Sequence, residues 1–232
     1  MDTLLVKIST YFEQKSVQYG VRLETIIVEG RENTSARDVA KVLSARKGTS
    51  LFDYDVHLLR EKLVDLPWVR SAIVQRRFPS TLYVRLTERR PIALWHHQGK
   101  THLIDDQGKE IKAPELSKYR RLLKISGEDA PQYAPQIVTT LQPYSYLKKR
   151  LTGAVLNGGR QWDLLFGKGL RIKLPELEIH KALEYVADLM KKGYLDNPGI
   201  ESIDVRLSDR TFFYLNQEEA KKHQVSFLQK KG

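Results

Sequence analysis

Metal chemistry is the first possibility that the residue types suggest, because histidine and aspartate are concentrated near the middle of the chain. Five such side chains fall within eleven residues: His96, His97, His102, Asp105 and Asp106. Adjacent histidines on a strand point to opposite faces, and no two histidines have the i, i+4 spacing that would place both on one side of a helix. We therefore expect no metal site, and we interpret these residues as surface side chains that flank a turn.

Phosphate binding and covalent catalysis lack their usual motifs. The glycine pairs at 157–160 and 166–171 have neither Walker spacing nor a following helix, so we interpret them as hairpin turns. The chain has no Gly-x-Ser-x-Gly sequence and no cysteine, and its 28 acidic residues include no pair that stands out for acid–base work. We expect a protein without enzymatic activity and without a cofactor.

A basic stretch at 66–95 is the best candidate for binding chemistry; its sequence is LPWVRSAIVQRRFPSTLYVRLTERRPIALW. Arginine and aromatic side chains on a sheet can bind a nucleic-acid backbone and stack on bases. The stretch 69–90 has both: Arg70, Arg76, Arg77, Arg85, Arg89, Arg90 and Tyr83. Alternatively, half of these side chains form the solvated face of a half-buried sheet, where charge is needed for solubility alone.

The composition fits a globular protein but does not identify a partner. The 232 residues carry a net charge of +11, with an isoelectric point near 9.7. The charge is spread out: 16 Lys/Arg against 11 Asp/Glu in 1–90 give +5, and 23 against 17 in 91–232 give +6. No apolar run approaches the ~20 residues of a membrane-spanning helix, and residues 1–10 lack a signal-peptide pattern. We expect a soluble chain whose export or anchoring segment, if it has one, is not among these residues.

The first third of the chain predicts a compact α+β unit behind a short connector. Residues 1–20 have the spacing of a weak amphipathic helix. Ser35 and Asp38 resemble a capping box, and Leu82, Val84 and Leu86 alternate with polar residues as in a strand with one buried face. Five elements are expected: a strand at 21–30, a helix ended by Gly48, a helix from Asp53 to Pro67, and two strands around a turn at Pro79 and Ser80.

The rest of the chain predicts a mostly antiparallel β region with one clear helix. Short strands are expected around Gly99, and glycine turns separate three more between 151 and 175. Residues 113–135 contain several prolines and are expected to be irregular, and 137–147 are interpreted as helical despite Pro143. The apolar stripe within 178–193 predicts a helix. Two closing strands, IESIDVRL and TFFYL, flank residues 208–210.

Three features of the basic stretch together resemble one known family. A helix ends in Leu66-Pro67-Trp68-Val69, a hairpin turns at Phe78-Pro79, and Glu88-Arg89 leads into Pro91-Ile92-Ala93 with Trp95 close behind. This string, followed by the turn at 105–108, is similar to the junction between the polypeptide-transport-associated (POTRA) domain and the β domain of the bacterial FtsQ/DivIB family. The resemblance covers roughly residues 21–216, and it is weakest between 113 and 150.

The resemblance implies a fold, a location and a set of partners. It implies an α+β fold: a β-α-α-β-β POTRA domain at 21–90, then a mixed, mostly antiparallel β domain at 91–217 with a helix in its C-terminal half. Residues 1–20 would be a juxtamembrane connector and 218–232 a polar tail. Family members are non-enzymatic scaffolds of the divisome, anchored by one transmembrane helix on the periplasmic side of the bacterial inner membrane. This sequence has no counterpart of that helix, so the location rests on the resemblance alone.

The family also implies partners and a binding site. Its members bind the coiled-coil pair FtsB and FtsL, through strand addition at the last strand of the β domain, and thereby help to control septal peptidoglycan synthesis. Other divisome proteins are expected to bind the POTRA domain. The matching segment is 203–215, and its candidate binding residues are Arg206, Leu207, Asp209, Arg210, Thr211, Phe212 and Tyr214. Arg206 matches an arginine that pairs with an acidic residue of FtsB; Phe212 and Tyr214 have the alternative role of filling the core.

Two functions follow for the basic hairpin. The family resemblance favours a scaffold, in which Trp68, Phe78 and the alternating apolar residues pack the POTRA sheet against two helices while the arginines lie on its outer face. The second hypothesis is a nucleic-acid-binding protein that uses the arginine-rich hairpin at 69–90. The scaffold predicts weak nucleic-acid binding that disappears at moderate salt, and the alternative predicts tight binding with a steep salt dependence.

Overall fold

The computed structural model describes residues 20–217 and residue 221. Apart from Gly20 and Lys221, the predicted connector at 1–20 and the predicted tail at 218–232 lie outside the described residues. Internal contacts divide the chain between Arg90 and Pro91 into two compact units. Within the described part, no helix is both long enough and apolar enough to cross a membrane.

The first unit has the predicted β-α-α-β-β order. Its elements are β1 (Thr25–Glu29), α1 (Ala36–Leu43), α2 (Val56–Val64), β2 (Val69–Arg77) and β3 (Thr81–Glu88). The strands lie in the order β1-β3-β2, with β1 parallel and β2 antiparallel to β3. The alternating residues Leu82, Val84 and Leu86 are buried in one core with apolar residues of both helices, which confirms the predicted face.

The start and end of α1 differ from the prediction. Ser35 does precede the helix, but its side chain makes no capping hydrogen bond. Instead, the carboxylate of Glu88 holds the preceding loop by accepting backbone N–H groups from Glu32, Asn33 and Thr34 at 2.7–3.0 Å. The helix ends before Gly48, because Ser44 adopts the left-handed conformation (φ 44°). A side chain from a distant strand thus fixes the loop before α1, while the predicted side-chain cap at Ser35 is absent.

Two side chains of the hairpin differ from the expectation that the arginines lie on the outer face and that Phe78 packs in the core. Arg76 turns inward, where its guanidinium donates to the carbonyl oxygens of Leu51 (3.0 Å) and Tyr54 (2.6 and 3.1 Å). Phe78, predicted to pack in the core, is exposed and instead contacts the Phe52 ring, with 5.7 Å between centroids. Arg76, near the end of β2, satisfies backbone carbonyls of the turn before α2. It is therefore a structural residue. Trp68 is buried, as predicted.

The second unit is built on one nine-stranded sheet. Its strands are β4 (Pro91–His97), β5 (Lys100–Asp105), β6 (Glu110–Ile111), β7 (Leu123–Ser126), β8 (Leu151–Asn157), β9 (Gln161–Phe166), β10 (Arg171–Lys173), β11 (Ile200–Asp204) and β12 (Phe212–Leu215). They lie in the order β12-β11-β10-β9-β8-β7-β4-β5-β6. Three helices complete the unit: α3 (Ala130–Thr140), α4 (Ser145–Arg150) and α5 (Ile179–Lys191). The fold is α+β, as predicted.

The proline-containing part of this unit is more regular than its sequence indicates. Residues 113–135 were expected to be irregular, yet they include β7 and the first half of α3, which contains Pro135 and has a proline in its first turn. The helix predicted for 137–147 is two helices, since α3 ends at Thr140 and α4 begins at Ser145. The turn between them contains Pro143. The predicted helix within 178–193 is confirmed as α5.

Replacing Arg76 tests its structural role. We expect Arg76→Met to lower the free energy of unfolding by about 1–3 kcal/mol, because two carbonyl groups lose a charged donor. Arg60→Met, at an exposed position on α2, is the matched control and should change it by less than about 0.5 kcal/mol. Urea denaturation followed by circular dichroism measures both, and equal effects would contradict the assignment.

Candidate functional site

The candidate binding residues gather around β12, which lies at one end of the nine-stranded sheet. β12 pairs antiparallel with β11 on one side, in the register Ile203 to Phe213 and Asp204 to Phe212. Among the described residues no strand pairs with its other side. A terminal strand presents a row of backbone N–H and C=O groups that an incoming strand can pair with.

The side chains of β12 are exposed on both faces of the strand. Phe212 and Tyr214 share one face and are 45% and 48% exposed. Phe213 lies on the other face, beside the core, and is 38% exposed; its ring packs on Tyr194, with 5.4 Å between centroids. The alternative role of Phe212 and Tyr214 as core residues is therefore wrong. A strand with exposed aromatic rings on both faces is an unusual surface for a folded domain and marks a candidate interaction site.

Arg206 is held by an aspartate of the neighbouring strand. Its Nε donates to both carboxylate oxygens of Asp204 at 2.9 and 3.0 Å, and Nη2 donates to Oδ2 at 2.6 Å. Asp204 is buried, whereas Arg206 is 42% exposed. The guanidinium therefore covers a buried carboxylate with one edge and presents the rest of its surface to solvent, and the carboxylate that it covers belongs to the residue paired with Phe212.

The pair shifts the pKa of both groups. Burial opposes ionisation of Asp204, but hydrogen bonds from Arg206 and the positive charges of Arg206 and Lys173 together hold the pKa of this carboxyl below its usual value. The hydrogen bonds that Arg206 donates to Asp204 raise the pKa of Arg206 in turn. Both groups are therefore charged under any ordinary condition, and Arg206 is a permanent cation at the edge of the sheet.

The segment before β12 carries the other candidate residues. Leu207 is exposed, and Asp209 and Arg210 form an exposed ion pair with 2.7 Å between Oδ2 and Nη2. Thr211 is half-buried and directly precedes the strand. An ion pair between exposed neighbours contributes little stability, so these charges are free to exchange partners. The structure thus places all seven candidates in one continuous stretch at the sheet end.

Sequence reasoning missed three residues that shape this edge. Asp204 binds Arg206, Lys173 lies over the ring of Tyr214 with 5.2 Å from Nζ to the centroid, and Tyr194 packs on Phe213. The first contact had a signal, because residues two apart on an extended chain share a face and Asp204 and Arg206 have opposite charges. The others come from elements distant in sequence and had none.

The histidine-rich stretch has a packing role. The His97 ring stacks on Trp95 with 4.6 Å between centroids, and His102 lies 5.3 Å from the same ring. His102 also contacts Glu110, with 2.8 Å between Nδ1 and Oε1. Within the part of the chain that the structure describes, no group of three potential ligands could hold a metal ion.

The basic hairpin lacks the features of a nucleic-acid surface. Tyr83, which was expected on the solvated face, is buried there beneath Arg77, whose guanidinium carbon lies 3.3 Å from the ring centroid. Its hydroxyl donates to Glu29 at 2.5 Å, and Glu29 also binds Arg85. The only aromatic residue between Val69 and Arg77 or Thr81 and Glu88 is therefore covered and cannot stack on a base, and Arg76 points inward.

The two units match two domains of one class of bacterial protein. Residues 21–89 match the profile of the POTRA domain, FtsQ-type, and residues 93–206 match that of the cell division protein FtsQ/DivIB, C-terminal. Curated relatives agree over nearly the whole chain. The chain belongs to the FtsQ/DivIB family of cell division proteins.

Three comparisons illustrate the similarity. The chain is 35% identical to the cell division protein FtsQ of Rickettsia bellii over 210 residues, which cover 90% of this chain and 78% of that one. It is 32% identical to FtsQ of Agrobacterium fabrum, with 89% and 65% covered. The extracytoplasmic domain of DivIB from Geobacillus stearothermophilus matches with a TM-score of 0.34 and 12% identity over 47% of this chain and 96% of that one, which is too weak to support an argument.

The buried carboxylate predicts acid sensitivity. The stabilisation from Asp204 is complete above the usual pKa of 3.8 and is lost as the pH falls through the lower folded-state pKa. We expect Asp204→Asn to lower the free energy of unfolding at pH 7 by about 1–2 kcal/mol, less than for a fully buried pair because Arg206 is partly exposed.

The pH dependence separates this carboxylate from its exposed neighbour. Between pH 2 and 7, the free energy of unfolding should decrease less steeply with falling pH for Asp204→Asn than for the unmodified chain. Asp209→Asn, which removes an exposed carboxylate from the same segment, serves as the control. If the free energy of unfolding decreased equally in acid for Asp204→Asn and the unmodified chain, Arg206 would not stabilise the carboxylate.

Proposed function

We propose that this chain is a non-enzymatic scaffold of the divisome that binds the FtsB/FtsL coiled-coil pair. In this proposal a strand of FtsB adds to β12 and extends the nine-stranded sheet, which links early and late division proteins and helps to control septal peptidoglycan synthesis. The observation that carries the proposal is the open edge of β12, whose side chains are exposed on both faces. Membership of the family supports the role in division.

The chemistry of the edge favours a partner with both apolar and acidic residues. Phe212 and Tyr214 offer apolar surface on one face of the strand. Arg206, Arg210 and Lys173 supply positive charge around that face. Main-chain pairing would supply the affinity of such a complex, and the aromatic and charged side chains would select the partner. An acidic side chain from FtsB would meet the exposed edge of Arg206.

We further propose that the chain works on the periplasmic face of the bacterial inner membrane, at the division septum. The support is family membership. The POTRA unit would contact other divisome proteins. Catalysis plays no part in this proposal.

Calorimetric titration tests the strand addition directly. The unmodified chain should bind the periplasmic segment of its cognate FtsB, both alone and paired with FtsL. Phe212→Ser with Tyr214→Ser should weaken binding at least 10-fold, or about 1.4 kcal/mol, because the added strand loses its apolar contacts. Tyr146→Ser, which removes an aromatic ring more exposed than either, is the matched control and should bind normally.

A proline variant separates main-chain pairing from side-chain contact. Thr211→Pro removes a backbone donor beside β12 and places a ring there, so it should weaken binding if its circular dichroism spectrum is unchanged. Loss of binding in both variants supports the proposal. Binding that both variants retain would place the contact elsewhere, and no binding by the unmodified chain would refute the FtsB/FtsL role.

Nucleic-acid binding is expected to be weak. With Tyr83 covered, Arg76 turned inward and the exposed Phe78 ring packed beside Phe52, the hairpin offers mainly phosphate contacts, so binding of a 20-base-pair duplex should be independent of sequence and should disappear by about 0.2 M salt. Fluorescence anisotropy measures this, with Arg70→Gln/Arg77→Gln as the variant. Sequence-dependent binding that persists at that salt concentration would revive the alternative function.

A further inference from the structure

A second exposed strand lies at the edge of the first unit. β1 is terminal in its sheet and pairs only with β3 among the described residues. Its apolar residues Ile26, Ile27 and Val28 are 42%, 38% and 36% exposed. Natural edge strands are usually protected by charges, prolines or bulges. β1 has no proline or bulge, and its one charged residue, Glu29, lies at its end and is engaged with Tyr83 and Arg85. Such an edge is suited to pairing with another strand.

An apolar groove runs between this strand and the first helix. Its strand side is lined by Ile26 and Val28, and its helix side by Val39, Ala40 and Leu43, with Arg31 at the margin. Val39 and Leu43 are buried and form the floor. The volume is about 270 Å³, below the ~300–1,000 Å³ of typical small-molecule sites. The groove therefore fits a few side chains of an extended peptide.

The charges around the groove determine what can enter it. Arg31 is the one charged residue that lines the groove. Arg37, Asp38 and Lys41 are exposed on α1 outside the groove lining and add a net charge of +1. Glu29, the acidic residue of β1, has its side chain on the opposite face, where it binds Tyr83. Residues 1–90 carry a net charge of +5. Two copies of this edge would bring like charges together, which opposes self-association, whereas an acidic partner would gain electrostatic attraction.

We propose that β1 and α1 form a second strand-addition site, which takes an extended peptide with alternating apolar residues flanked by acidic ones. Alternate side chains of the peptide enter the groove beside Ile26 and Val28, because residues two apart on a strand share a face. Its backbone pairs with the open side of β1, and its acidic flank lies by Arg31 at the margin of the groove. This site belongs to the other compact unit and does not depend on the role proposed for β12.

A synthetic peptide provides the test. The probe has six residues of alternating valine and threonine between two pairs of aspartates, and the comparison peptide has lysines in place of the aspartates. Titration of the isotopically labelled full chain, followed by amide chemical shifts, should give saturable binding of the acidic peptide that maps to β1 and α1. The lysine peptide should bind at least 10-fold more weakly.

Matched variants on one strand assign the face. Ile26→Glu with Val28→Glu places charge inside the groove and should weaken binding at least 10-fold. Ile27→Glu changes an equally apolar, similarly exposed residue on the opposite face and should change affinity less than 2-fold. Since these positions are already exposed, both variants should fold, and thermal melts check this.

Several results would overturn the proposal. These are shifts that map away from β1 and α1, equal binding by the groove variant, equal binding of the lysine peptide, or no saturation at millimolar peptide. Sedimentation velocity addresses the other occupant, a second copy of the chain. A dimer that Ile26→Glu/Val28→Glu abolishes would assign the groove to self-association instead.

Discussion

In every open sheet, the two end strands carry backbone N–H and C=O groups that no neighbouring strand pairs with, and this constraint shapes both units. Of the four end strands, two are protected against pairing with another strand in ways that are common in proteins. β6 has only two residues, and β2 carries a register shift near Val69 together with several arginines. β1 is short, exposed and without a register shift. β12 is short and exposed, and the register shift beside it lies in β11, between Ile200 and Ser202. The fold protects one end of each sheet and leaves the other accessible.

Buried charge holds the accessible end of the larger sheet in place. Asp163, Lys173 and Asp204 occupy consecutive strands in register, and Arg171 and Arg206 neutralise the two carboxylates. Burying these carboxylates costs free energy unless they are paired, so the strands are held in the register that pairs them. Phe212 of β12 pairs with Asp204 and continues this row. The polar contacts of the row thereby position β12, which the core covers only in part.

Local patterns predicted the elements well, and the failures came from contacts between distant residues. The period-2 alternation of Leu82, Val84 and Leu86 identified the buried face of β3, because one side of that strand meets only helices. The alternation also gave the correct face for Arg76 and Tyr83, but it did not show that Arg76 binds carbonyl oxygens of a separate turn or that Arg77 covers Tyr83. Neither contact has a signature in its own strand.

The candidate site was likewise predicted only in part from the sequence. Its location at the last strand followed from the resemblance to the family, and all seven residues lie there. The exposure of Phe212 and Tyr214 depends on the strand being the last in its sheet, which no local pattern reveals. The prolines of α3 led to the wrong prediction of an irregular segment. One lies in the first turn, where no N–H is needed. The other is tolerated inside a helix that packs on β4, β5 and β7.

The shortness of β12 limits how tightly its edge can hold anything. Four residues span about 13 Å, and because alternate groups face outward they offer about two N–H and two C=O groups. At about 0.5–1.5 kcal/mol each, a full ladder contributes about 2–6 kcal/mol, comparable to the entropic cost of association at best. Main-chain pairing at this edge is therefore reversible by itself. Long residence there requires the aromatic rings, so a complex can be dismantled without unfolding either partner.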